Sequence, residues 1–304
     1  MAISVDIEAD ESSVEGAVPI REISRVTGVN TVTLRAWERR YGLIVPQRTS
    51  KGHRLYNRSD IERVKEIQLW LGRGLAISKV KALLADEQRE KNRPEIDSIW
   101  LQLMQQVRVA ITAFNRSQLE HLIEETFALY PVAMIADYLL APLLLELQGE
   151  EPGKPVRRAF FDSVLQEYIQ AAQSRQRQAA QGEKILLVSA SADDEPLLAQ
   201  ILSYGLLVNQ HRAIFLGYLS VKESLLGAQA LDAKIVVIVG CETLGGNELQ
   251  LHLNLWRERS TTPVVLAGSV ARIFRALSAE SPPGIYACDN LHDMLAIINQ
   301  LVKD

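Results

Sequence analysis

The stretch NTVTLRAWERRYGLIVPQRTSKGHRLYNRSDI, Asn30 to Ile61, decides how this chain is read. Asn30 or Thr31 can cap a helix, because a short polar side chain accepts from the free N–H groups of the first turn. Leu34, Trp37 and Tyr41 then fall near one face of that helix. Thr31, Arg35 and Arg39, four residues apart, fall on another. Gly42 supplies the stop. Just upstream, Pro19 suits a first turn, Ile20, Ile23 and Val26 recur at helical spacing, and Gly28 closes that helix. Two short helices across a tight turn make a helix-turn-helix unit. Leu34 and Trp37 are expected to hold the second helix against Ile20, Ile23 and Val26.

Downstream the helical pattern stops. Pro46, Gly52 and the alternating Arg54-Leu55-Tyr56 read as a small hairpin, a wing. Ser59 or Asp60 then caps a longer helix carrying Ile61, Val64, Ile67 and Leu71. Gly-Arg-Gly at 72–74 interrupts it, and ISKVKALLADE supplies one more helix, with Ser78 near its start.

Charge gives this segment its meaning. The chain carries a formal net charge of -4. Residues 1–18 hold 5 acids and no base, whereas residues 19–85 hold 14 Lys/Arg against 5 Asp/Glu. A basic surface on one part of the chain is therefore hidden in the average. The candidate DNA contacts are Arg35 and Arg39 in the major groove, with Thr31 and Thr33 on the same helix and Arg40 at the backbone. In the wing, Arg48, Lys51, His53 and Arg54 can track phosphates. Tyr56 packs at the wing base or gives its hydroxyl to a phosphate. The plain alternative is a solvated basic face paired with Glu38, Asp60 and Glu62. The absence of an aromatic stacking ladder favours duplex DNA over a single strand. The acidic leader is expected to be disordered and to solubilise the chain or compete for the basic surface.

In order, TLRAWERRYGLIVPQR, the wing GHRLY, and YNRSDI leading into a helix resemble the MerR family of bacterial transcription regulators. The resemblance covers the whole basic segment, residues 19–87. It implies a winged-helix dimer on a near-palindromic operator, which bends and untwists a promoter for RNA polymerase or represses by occlusion.

The rest of the chain has two parts. Residues 95–180 are helical in pattern, with Pro131 and Pro142 starting or kinking helices and GEEPGKP at 149–155 as a loop. Residues 183–304 alternate strand and helix. KILLVSA (184–190), HRAIFLG (211–217), KIVVIVG (234–240), TPVVLAG (262–268) and GIYACD are the strands of a parallel sheet covered on both faces. The order of elements, GYLS at 217–220 and VVLAGS at 264–269 resemble the light- and cobalamin-responsive branch of the same family. The resulting fold class is multi-domain: an acidic leader (1–18), a MerR-type winged helix (19–87), a helical bundle (95–180), and a Rossmann-like α/β domain of cobalamin-binding type (183–304).

That branch implies an Asp-x-His-x-x-Gly motif after the first strand, whose His ligates cobalt. SASADDEPLLAQ stands there instead, with Ala192, Asp194 and Leu197 at the three motif positions. A carboxylate replaces a neutral nitrogen ligand, and a leucine crowds the path a glycine leaves open. The bundle's Glu-His pair gives way to Phe160 and Phe161, which fill the vacated pocket or stack on a flat ligand. Cobalamin is therefore not expected, and no metal cluster is legible. Ser189, Gly217, Gly240, Cys241 and Gly268 stand at strand ends and can line a ligand crevice. A plain strand-to-helix turn explains the segment after Gly240 equally well, and Cys241 reads as an ordinary buried thiol before a reactive one.

Together these readings describe a sequence-specific regulator bound to double-stranded promoter DNA, cytoplasmic in a bacterium and associated with the nucleoid. It is a homodimer or homotetramer, with RNA polymerase or a regulatory protein as a further partner and no membrane. It is not an enzyme. The alternatives are a cobalamin or other tetrapyrrole photosensor, and a non-sensing scaffold or antagonist controlled by a protein partner.

Overall fold

The computed structural model describes residues 17–85, 98–192, 196–240, 245–277 and 282–303. Nearly all of the acidic leader and residues 86–97 lie outside these ranges. The basic segment forms β1 (Val18–Pro19), α1 (Ile20–Thr27), α2 (Thr31–Ala36), β2 (Gln47–Arg48), β3 (Arg54–Tyr56), α3 (Arg58–Gly72) and α4 (Ile77–Ala85). A π turn, Trp37–Tyr41, continues α2 and ends at Gly42 with φ +58°. Gly28, at φ +69°, closes α1 in the same left-handed way.

Three local expectations change. The wing has a third strand, because β1 pairs antiparallel with β3 (Val18 opposite Tyr56, Pro19 opposite Leu55). Pro19 therefore ends a strand, and α1 begins at Ile20. Asn57, rather than Ser59 or Asp60, caps α3. Its side chain accepts from Asp60 N–H at 2.9 Å while Asp60 accepts from Asn57 N–H at 2.9 Å, a reciprocal box that satisfies two donors at once. Val26 is exposed and Ile20 only partly buried. The buried stripe of α1 is Ile23, Ser24 and Thr27, and that of α2 with its π turn is Thr33, Leu34 and Trp37. Both stripes have spacing i, i+1, i+4.

Residues 98–177 fold as α5 (Ile99–Thr112), α6 (Arg116–Leu129), α7 (Val132–Ile135), α8 (Ala141–Glu146) and the long α9 (Lys154–Arg177), with a second π turn joining α7 to α8. Phe161 is fully enclosed in this bundle, and Phe160 meets Phe114 edge-on at 5.3 Å. The aromatic pair is thus packed by protein.

The remainder alternates β4 (Lys184–Ser189), α10 (Pro196–Val208), β5 (Arg212–Tyr218), α11 (Val221–Leu231), β6 (Ile235–Gly240), α12 (Gly246–Arg259), β7 (Val264–Gly268), α13 (Ser269–Leu277), β8 (Ile285–Ala287) and α14 (Leu291–Leu301). The five strands are parallel, in order β5-β4-β6-β7-β8. Successive strand residues point to opposite faces. Ile185, Leu187, Val237 and Val265 face one side, while Leu186, Val236, Val264 and Leu266 face the other with α12 and α13. The first side is continuous with the bundle and the basic head, so one apolar core runs from the wing to the sheet. No helix among the described residues is long and apolar enough to cross a membrane.

Because Phe161 is a core side chain, Phe161→Ala is expected to destabilise the protein by about 3–5 kcal/mol. Chemical denaturation checks this, and a cost near zero would show instead an open pocket facing solvent.

Candidate nucleic-acid interface and C-terminal crevice

Asn30 starts the interface. Its side-chain oxygen accepts from Val32 N–H at 3.0 Å and so fixes the first turn of α2. At the other end Trp37 is fully buried, and its indole N–H donates to the Leu129 carbonyl of α6 at 2.9 Å. With Thr33, Leu34 and Trp37 turned inward, helical rotation turns Arg35, Arg39 and Arg40 outward, and all three are exposed. Thr31 is partly exposed beside them. Thr33 is fully buried and leaves the expected contact set, because it shares the inward stripe with Leu34.

The wing is organised by one acid. Glu38 accepts from Arg48 Nη2 at 2.8 Å and from Arg54 Nε at 2.5 Å. Burial opposes its ionisation, but the hydrogen bonds and charges of Arg54 and Arg48 outweigh that and hold its carboxyl below the usual range. Arg54 is only 14% exposed at its side chain and is committed to Glu38, whereas Arg48 is 51% exposed, with Nη1 also reaching the Gly52 carbonyl at 3.4 Å. Lys51 and His53 project freely at the wing tip. Tyr56 is fully buried at the wing base. Burial foremost pushes its phenol up to about 12, with Glu38 adding and Arg54 and Arg35 opposing. Of the two roles open to Tyr56, packing is the one the structure gives it. In sequence Glu38 reads as a charge paired with a solvated basic face. A lone acid inside RAWERRYG was the available signal for its bridging role.

The second region lies at the carboxyl ends of the strands. Gly240 stands opposite Gly268 across β6 and β7, and Ser189 opposite Val239 across β4 and β6. Gly217 lies near the end of β5 at the sheet edge, with φ +74°. A Cβ on Gly268 would sit 2.3 Å from the Gly240 carbonyl oxygen, and φ is +77°, so only glycine fits. Cys241 and Asp194 lie outside the described residues. Ala192 is exposed, and Leu197 is 1% exposed within α10.

Beside Gly268, between bundle and sheet, is a cleft of about 110 Å³. Leu140 and Leu144 line it from the bundle, and Leu198, Ile201 and Leu202 from α10. At its rim Asp137 accepts from Leu291 N–H, the first residue of α14, at 3.4 Å. Burial raises the Asp137 carboxyl to about 6, against the lowering effect of that N–H and of His292. Cys288, also lining the cleft, is buried, which pushes its thiol up to about 12 and makes it inert. Sequence reasoning missed Asp137, since nothing in ADYLLAP marks a helix partner 154 positions away. Among the described residues no three His, Cys, Asp or Glu gather as a metal site.

Comparison with known proteins adds the following. Residues 18–87 match the family described as MerR HTH family regulatory protein. The chain is 35% identical over 175 residues to the HTH-type transcriptional regulator MlrA of Escherichia coli, covering 58% of this chain and 70% of that one. It is 27% identical to the HTH-type transcriptional repressor CarA of Myxococcus xanthus, across 93% of this chain and 96% of the relative. Among solved structures, the monomethylamine corrinoid protein of Methanosarcina barkeri superposes with TM-score 0.52 at 12% identity, covering 66% of this chain and 99% of its own. That likeness is one of fold.

Two outcomes test these sites. Glu38→Ala frees two guanidinium groups, so non-specific duplex binding should tighten. Its salt dependence should steepen by roughly one to two counterions, while preference for the operator falls. An unchanged salt slope in equilibrium binding would refute the clamp. Asp137 has a folded pKa above its unfolded value near 4, so the folded state holds its proton longer. Its ionisation therefore costs stability as pH rises from about 4 through about 6. Asp137→Asn keeps an acceptor for Leu291 and should gain stability relative to the parent across that window, with the gain level above it. Denaturation curves at pH 4.5, 6 and 7.5 read this directly.

Proposed function

Since this chain belongs to the MerR family of helix-turn-helix regulatory proteins and is a DNA-binding transcriptional regulator of that kind, we propose that it reads a two-half-site operator as a symmetric homodimer or homotetramer. Arg35 and Arg39 enter the major groove and Arg40 meets the backbone. Lys51, His53 and the exposed Arg48 follow phosphates from the wing, with Thr31 at the groove edge. Arg54 acts through Glu38. The observation that carries this is the common outward face of Arg35, Arg39 and Arg40 on a helix whose opposite face is fully buried. A guanidinium can bond two edge groups of guanine, which a lone phosphate contact does not require.

The C-terminal module, in this reading, sets the oligomeric state or receives a signal from a regulatory protein or RNA polymerase, and it does not hold cobalamin. A ligand of drug size takes a pocket of about 300–1,000 Å³, and a corrinoid is larger still. The cleft of about 110 Å³, filled from one side by Leu198, Ile201 and Leu202, does not fit it. Leu197 occupies the position where the related motif carries glycine, and its side chain is buried. Phe161 is enclosed by the bundle. The protein acts in a bacterial cytoplasm, at the nucleoid, without catalytic activity. A second reading, sensing of a small apolar molecule, is favoured by that same cleft, whose mostly apolar lining includes two carboxyls, Asp137 and Asp289.

Arg35→Ala should lose roughly 5- to 150-fold in preference for the operator, the worth of one bidentate base contact, with a smaller loss on random duplex. Equal weakening on both DNAs, measured by fluorescence anisotropy at fixed salt, would demote Arg35 to a phosphate contact. Purified protein dialysed with cobalamin in the same series should emerge without a visible absorption band.

A further inference from the structure

The turn of the helix-turn-helix unit does not face solvent. It rests on α10, an element of the C-terminal α/β part. The Asn30 side chain, whose oxygen caps α2, is also hydrogen-bonded to the phenol of Tyr204 in the middle of α10. One turn further, Asn209 faces Gly28: a Cβ on that glycine would lie 3.4 Å from Asn209 Oδ1. The Tyr204 ring is held by Phe127 of α6 at 5.9 Å and is itself buried. The first half of α10 supplies Leu198, Ile201 and Leu202 to the cleft beside Gly268. One helix thus lines the cleft through Leu198, Ile201 and Leu202 and meets the cap of the DNA-reading helix through Tyr204, little more than half a turn beyond Leu202.

We infer that Tyr204 is a positioning residue for DNA reading: through Asn30 it fixes the angle at which α2 presents Arg35 and Arg39, and it couples α10 to operator choice. This rests on α2 being the reading helix. Phosphate contacts tolerate a small rotation of a helix, because a flexible side chain can follow a charge. Bidentate base contacts do not, because both bonds depend on one plane. Loss of the Tyr204 bond should therefore reduce discrimination between sequences while leaving counterion release unchanged.

The test uses the full-length chain, the operator and a scrambled duplex, each titrated at several salt concentrations. Tyr204→Phe keeps the ring against Phe127 and removes the hydroxyl. Asn30→Ser keeps a capping oxygen but is too short to reach α10. Each should lower the operator-to-scrambled affinity ratio about fivefold, the worth of one hydrogen bond, with an unchanged salt slope. The double variant should be no worse than either single one. Asn30→Asp caps α2 and accepts from the phenol, so it should keep the parent's ratio, and a fivefold loss in that variant would count against the inference even if Tyr204→Phe does not fold. A ratio unmoved by both single variants, or losses that add in the double variant, overturns the inference. A parent protein that does not prefer the operator at all overturns the reading of α2 instead, and the two failures are told apart by that control.

Discussion

A buried indole must give its N–H to an acceptor, and in this chain the acceptor of Trp37 lies outside the winged helix. Its bond to the Leu129 carbonyl joins the end of the reading helix to the bundle. The rest of the arrangement follows from that constraint. Once Trp37 points into the shared core, Thr33 and Leu34 point there too, and Arg35 and Arg39 have only the solvent side left. The basic head therefore rests on the remainder of the chain through its apolar stripe and keeps its charged face free. Trp100 repeats the device, giving its indole N–H to the Leu71 carbonyl at the end of α3. Two tryptophans thus fasten the head at two points, each through a backbone oxygen near the C-terminal end of a helix.

Electrostatics reinforces that orientation. Residues 19–85 carry 14 bases against 5 acids, and residues 86–304 carry 19 against 27. A polyanion is drawn to the head and repelled by the body, so apolar docking and charge agree on which side faces DNA. Within the head, Glu38 uses two guanidinium groups to tie wing to helix. Charge is given up for geometry: Arg54 is lost to phosphate contact, and the wing gains a fixed position relative to α2. A clamp of this kind favours sequence discrimination over raw affinity.

Much of the architecture was legible because hydrophobic period is a strong signal. The alternation of buried strands and amphipathic helices after residue 183 gave the parallel sheet, and WERRYG with GHRLY gave the winged helix. Finer features were not legible, for identifiable reasons. Val26 has helical spacing from Ile23, but an eight-residue helix buries only a narrow stripe, and the choice between Val26 and Thr27 depends on the tilt of a neighbour. Asn57, Ser59 and Asp60 are all competent caps; the reciprocal pairing of Asn57 with Asp60 decides between them. Arg54 and Arg48 look alike in sequence and both reach Glu38, and only their exposure, 14% against 51%, separates the buried arm of the clamp from the one that faces solvent. Strand β1 is two residues long and carries no periodicity. Asp137 and Tyr204 matter through partners 154 and 174 positions away, information that local pattern does not contain.

The sheet is held together independently of anything at the ends of its strands. The strands are stabilised by alternating Val, Ile and Leu on two covered faces, a source of stability independent of anything bound at their ends. Gly240 and Gly268 are held by backbone approach: a Cβ on Gly268 would collide with the neighbouring strand, whatever fills the crevice. Leu197 and its neighbours on α10, by contrast, answer to local packing, and large aliphatic side chains there narrow the space between bundle and sheet to the cleft of about 110 Å³. Each side chain that packs there gains contacts that an empty space would not supply. The aliphatic side chains that pack α10 between bundle and sheet therefore also support the head that rests on it.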